Sequence, residues 1–217
     1  MGNLTLSSKN ILIYRIIFTT LSWITILASA IIYTIENGSI LPWFNGFKSF
    51  TMQTNLIVTV WFTLAILWHN KPQSLQKITG SLKGAFTLYI SVTFVFFAIL
   101  LSPFYRPTGF AAFSNLILHY ITPIAFIVDW VLTETKKRYQ WSYLWYWIVY
   151  PIGYLVFAFI HGTFTGSYLY YFLDISQLGI LGYVLFISLL IGVGLTIGSL
   201  YITINRKRAL IEKKTEK

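Results

Sequence analysis

Six stretches of the chain, at about residues 11–33, 49–69, 84–102, 110–132, 143–164 and 179–203, are almost free of charge. Each is close to the ~20 apolar residues that cross a ~30 Å hydrocarbon core. The connections between them are short, which leaves nothing for a soluble domain. The pattern predicts an all-α fold: a polytopic integral membrane protein of six transmembrane helices, one domain over residues 1–217 with a short N-terminus and a basic C-terminal tail.

Within these spans the polar positions recur at helical spacing, and such stripes mark the face turned toward other helices. Asn115, His119, Thr122 and Asp129 form one stripe on the fourth span; Thr51, Asn55 and His69 form another on the second, with Gln53 and Thr54 beside its outer end; Tyr150, Tyr154, His161 and Thr165 form a third on the fifth. At a rise of ~1.5 Å per residue His119 lies about 14 Å from the start of its span, near mid-depth. A histidine there is either a neutral group bonded across the bundle or a general base. Arg15 and Asp129 are placed to pair near the opposite end, which offsets the cost of charge at that depth. His69 reads as interfacial, and Trp68, Trp130, Trp141, Trp145 and Trp147 read as an aromatic belt.

Composition agrees: 56% of the 217 residues are hydrophobic and 10% charged, against roughly a quarter charged in soluble domains. The net charge of +10 does not form a nucleic-acid surface. It alternates instead. Lys9, then Lys71, Lys77 and Lys83, then Lys136, Lys137 and Arg138, then Arg206, Lys207, Arg208, Lys213, Lys214 and Lys217 mark one side, while Lys48 and Arg106 alone mark the other. Under the positive-inside rule both termini are cytoplasmic. A signal peptide ending at Ala28–Ala30 fits less well, because the apolar run exceeds the usual ~7–15 residues. The chain has no cysteine, which excludes disulfides, thiolate metal sites and a cysteine nucleophile. His119 and His161 are the only pair for haem or a metal, but they differ in depth and lack a carboxylate partner. No metal or cofactor is expected.

Three segments carry a resemblance: "SFTMQTNLIV" from Ser49, "LHYITPIAFIVDW" from Leu118 and "YPIGYLVFAFIHGTFTGSYLYYFLD" from Tyr150. Together with the six-span layout over about residues 11–205, they resemble the androgen-induced-protein family of integral membrane proteins, above all its bacterial Pr-six-Pr branch. The resemblance implies a plasma-membrane hydrolase of fatty-acyl or lipid esters that uses a threonine and a histidine, matched here by Thr51 and His119. The bacterial closing motif is matched by Gly166, Tyr168, Tyr170, Phe172, Leu173 and Asp174. Leu169 and Tyr171 stand where prolines are usual, and His161 where arginine is.

A neutral histidine can take the proton of a threonine hydroxyl, and the oxyanion then needs donors. Gln53, Asn55 and Asn115 are candidates, with Tyr168 or Tyr170 from the loop after His161; Asp174 is the only outer acid that could orient His119. Thr51 also fits a helix cap. Counted from Ser49 it is shallow and His119 is deep, unless Trp43–Phe47 extends the second span outward. A non-enzymatic binding protein or small-molecule transporter would use the same polar face.

Overall fold

The computed structural model describes residues 7–71, 73, 75, 81–134 and 139–215, with side chains as far as Arg208. The side chains of Lys77, Lys136, Lys137, Arg138, Lys213, Lys214 and Lys217 lie outside the described residues. Among those described there is no strand, and six helices are long and apolar enough to cross a membrane. They are α1 (Ser8–Asn37), α3 (Phe50–Leu67), α4 (Leu82–Leu101), α5 (Gly109–Thr133), α6 (Tyr143–Thr165) and α7 (Ile175–Thr215, interrupted at Gly179). A single turn, α2 (Leu41–Phe44), and a 3₁₀ turn, Asn45–Lys48, join α1 to α3.

The local signals are ordinary. Ser7 caps α1 by accepting from the Asn10 amide, and Ser49 caps α3 by accepting from Met52. Ser49, not Thr51, therefore does the capping. The left-handed Gly38 and Gly166 (φ 65° and 68°) end α1 and α6.

Helix α4 is the hub, packing against α3, α5, α6 and α7, while α1 closes the ring against α3 and α5. Over half of its apolar window is buried (56%), against 11% for α7. Close approach requires small residues: a Cβ on Gly84 would stand 2.4 Å from the Trp147 ring, and one on Gly198 2.6 Å from Leu144. A Cβ on Gly192 of α7 would meet nothing within 4 Å among the described residues. Trp130 and Trp147 are buried at 0% and 2% exposure and belong to the core; Trp141 and Trp145 remain outside, so only part of the expected belt is one.

Lipid offers no hydrophobic drive between helices, so hydrogen bonds and packing hold the bundle. Ser22–Thr122 (2.9 Å) joins α1 to α5, Thr54–Thr93 (2.8 Å) joins α3 to α4, and Ser91–Tyr201 (2.7 Å) joins α4 to α7. His69 bonds Ser8 (3.0 Å), tying the end of α3 to the start of α1. The Arg15–Asp129 pair forms (2.7 and 3.3 Å) but is half of a larger cluster. Lys83 lies in the first turn of α4 rather than in a connection; it is 2% exposed, 2.7 Å from Asp129 and 4.0 Å from Glu134, above the Trp61 ring. Among the described residues two cations and two carboxylates meet here, and their formal charges cancel.

Candidate functional site

At the other end of the bundle, Thr51 and His119 line one cavity of about 360 Å³ with Ser49, Met52, Phe97, Tyr105, Leu169 and Tyr170. The conflict of depths is resolved by the connection between α1 and α3. Trp43–Phe47 does not lengthen α3, since the chain is extended at Ser49 (ψ 140°). Instead the Trp43 indole donates to Ser29 (3.0 Å), eight residues before the end of α1, which draws the connection roughly 12 Å back along that helix. Its ring packs with Ile26, Ile117 and Leu118. Helix α3 thus begins inside the bundle, at the level of His119.

His119 sits in a π turn, Ile117–Ile121, facing a second π turn, Phe97–Leu101; its ring stacks on Phe97 at 3.7 Å. Such turns often mark functional positions. Here the Thr122 amide bonds Ile117, which deprives Leu118 of its usual α-helical partner. The next π-spaced partner for the Leu118 carbonyl is Pro123, which has no N–H. Asn55 fills the gap: its amide donates to Leu118 (2.8 Å) and to Thr51 (2.9 Å), fixing α3 against the His119 turn.

His119 Nδ1 lies 3.2 Å from the Asn115 carbonyl. A carbonyl can only accept, so Nδ1 carries the proton and Nε2 is left as the acceptor. Thr51 and His119 do not hydrogen-bond to each other; the cavity separates them. Among the described residues no carboxylate orients His119. Asp174 instead caps the start of α7, accepting from the Ser176 hydroxyl (2.6 Å), the Ser176 amide (2.9 Å) and Gln177 (2.9 Å). Hydrogen bonding, first from that Ser176 hydroxyl, holds its carboxyl below the usual range.

Tyr170 comes from the loop after α6. Its hydroxyl accepts from the Phe50 amide (3.1 Å) at the N-terminus of α3, next to Thr51. Burial raises its pKa, so the phenol keeps its proton and can donate. Tyr171 donates to the Leu100 carbonyl (2.6 Å) and fastens the loop to the π turn of α4. Leu169 enters the cavity wall. Tyr168 does not; its ring lies on Gly162, where a Cβ would stand 2.2 Å away. His161 bonds the Ser167 carbonyl of its own loop (3.1 Å).

Of the expected donors, Gln53 is engaged elsewhere, with the Phe47 carbonyl and Tyr150 (both 2.7 Å), and both Asn55 donors serve carbonyls. Asn115 lines a neighbouring cavity of about 420 Å³, and its Oδ1 is buried with no partner among the described residues. On the opposite flank a narrow apolar slot of about 70 Å³ shares Thr51, Phe97, Leu101 and Tyr170 with the central cavity. It runs between Ile148, Pro151, Ile152 and Leu155 of α6 and Leu190, Ile191 and Gly194 of α7. Among the described residues no three His, Asp or Glu side chains cluster as metal ligands would. Phe97, Tyr105 and Glu36, which lines the polar cavity, carry no pattern that singles them out in sequence.

No family model, curated protein or solved structure matches the chain.

Proposed function

We propose that the chain is a multi-pass hydrolase of lipid acyl esters, related to the androgen-induced-protein family and set in a bacterial plasma membrane with both termini in the cytoplasm. The observation that carries this reading is the single cavity lined by Thr51, His119 and Tyr170. The adjoining slot is apolar, as the first methylenes of an acyl chain require.

The chemistry follows from these groups. Thr51 passes its hydroxyl proton to His119 Nε2, directly once substrate tightens the site or through one water. Its oxygen bonds the ester carbonyl carbon while Tyr170 donates to the oxyanion. The bond to the alcohol oxygen breaks, and His119 returns the proton to that oxygen. Water then attacks the acyl-threonine with the same base, releasing the fatty acid. Each removal, Thr51→Ala or His119→Ala, lowers turnover of a fluorogenic fatty-acyl ester by about 10²-fold or more. Equal turnover by both variants and the wild type overturns the proposal.

The missing Thr51–His119 hydrogen bond and the lack of an orienting carboxylate favour a second reading, a non-enzymatic lipid-binding protein or small-molecule transporter. In that case the variants weaken binding of a non-hydrolysable ether analogue and no ester is cleaved.

A further inference from the structure

The three cavities form a series of changing chemistry. The apolar slot and the central cavity share Thr51 and Tyr170 in their walls, and the central cavity and the 420 Å³ cavity share His119 and Tyr105. His119 therefore stands between the reacting centre and a chamber whose wall is built differently. Glu36 is the charged group of that wall, and Ser114 and Asn115 add polar atoms. Asn115 Oδ1 is a buried acceptor with no partner among the described residues. Ser29 is already used, accepting from Trp43 and donating to Ile26 (2.7 Å). What remains unsatisfied accepts hydrogen bonds and favours positive charge, while Tyr33, Tyr105 and Phe110 supply ring faces beside it. The chamber lies between the C-terminal end of α1 and the start of α5, where Glu36, Thr108 and Gly109 are solvent-exposed.

We infer that this chamber receives the alcohol half of the ester, and that this half is a short alcohol ending in an ammonium group, rather than a second alkyl chain. The inference rests on the reading of Thr51 and His119 as the reacting centre. A substrate would lie with its acyl chain in the slot, its ester between Thr51 and His119, and its alcohol passing His119 toward Asn115 and Glu36. That path keeps the ester oxygen beside His119 Nε2, the nitrogen that takes the Thr51 proton and returns it to the alcohol, while the rest of the alcohol runs past the ring. An alkyl alcohol would leave Asn115 Oδ1 unpaired and remove the Glu36 carboxylate from part of its water, both unfavourable. An ammonium group would satisfy both.

The test uses the whole protein in nanodiscs and three esters of one fatty acid, made with aminopentanol, pentanediol and hexanol, which are close in length and differ at the tip. The corresponding ethers, which cannot be hydrolysed, are measured for binding in parallel. The expected order in both kcat/KM and affinity is aminopentanol, then pentanediol, then hexanol. Because Glu36 is exposed, its share is modest: the aminopentanol-to-pentanediol ratio falls about fivefold in Glu36→Gln, and falls in the wild type as salt is raised. Asn115→Leu narrows the gap between pentanediol and hexanol. If no ester is cleaved but the ethers keep this order, the hydrolase reading fails and the chamber assignment stands. If the hexanol compounds are handled as well as the others, or no ether binds, the chamber assignment is overturned.

Discussion

Replacing Asn55 by leucine isolates the contact that holds the two candidate catalytic residues at one level. The side chain donates to the carbonyls of Thr51 and Leu118. The Thr51 carbonyl retains a second side-chain donor, Thr54 (3.2 Å), whereas the Leu118 carbonyl is left without one. An unsatisfied buried carbonyl costs roughly 1–3 kcal/mol. Inter-helix bonds in membranes average about 0.6 and reach ~1.7 kcal/mol, and removing the unpartnered Asn55 Oδ1 offsets part of the loss. The expected net loss is about 1–2 kcal/mol, with a larger relative fall in ester turnover, because α3 then slides against the His119 turn. The cause of the vacancy at Leu118 is Pro123, so Pro123→Ala returns an N–H at the π-spaced position. In the Asn55→Leu background this second change should recover about 0.5–1 kcal/mol, read as a double-mutant cycle of reversible unfolding in mixed micelles. Strict additivity would refute this account of the π turn.

Three further outcomes are expected. Asp129→Asn leaves Arg15 and Lys83 buried against Glu134 alone and should destabilise by roughly 3–5 kcal/mol; adding Lys83→Met restores neutrality and should recover more than half in thermal unfolding, whereas an equal or larger loss would contradict the neutral-cluster picture. Tyr170→Phe removes the phenolic proton and the acceptor of the Phe50 amide; kcat should fall on the order of 10²-fold with stability lowered by only about 1 kcal/mol, and an unchanged kcat removes Tyr170 from the mechanism. Because the chain has no cysteine, single introduced thiols report sidedness: Ser167→Cys should react with an impermeant maleimide in intact cells and Gln140→Cys only after permeabilisation, and the reverse would invert the topology.

Hydrophobic periodicity made the six helices legible, and the polar stripes identified the inward faces of α3 and α5, because lipid tolerates so little polarity that each such residue is informative. Arg15 and Asp129 could be paired from depth alone. Lys83 could not, because a lysine beside a loop usually reaches water, and only the packing of α4 at the centre buries it. The level of Thr51 was hidden for a related reason. A rise per residue assumes that helices start at a surface, and the Trp43–Ser29 bond breaks that assumption. The π turns leave one trace in the sequence, Pro123 five residues after Leu118, but a proline there is equally compatible with a plain kink. Proximity along a helix does not show which hydrogen bonds are already filled: Gln53 and Asn55 donate to carbonyls, and Tyr168 packs on Gly162.

The most direct test of the central claim is where an active-site fluorophosphonate or a trapped acyl group attaches. Purified protein in nanodiscs is treated with the probe, digested and mapped by mass spectrometry. The expected result is a single adduct on the peptide carrying Thr51, located at Thr51 and not at Ser49, and lost or strongly slowed in His119→Ala. An adduct elsewhere, or equal labelling of wild type and His119→Ala at Thr51, would contradict it.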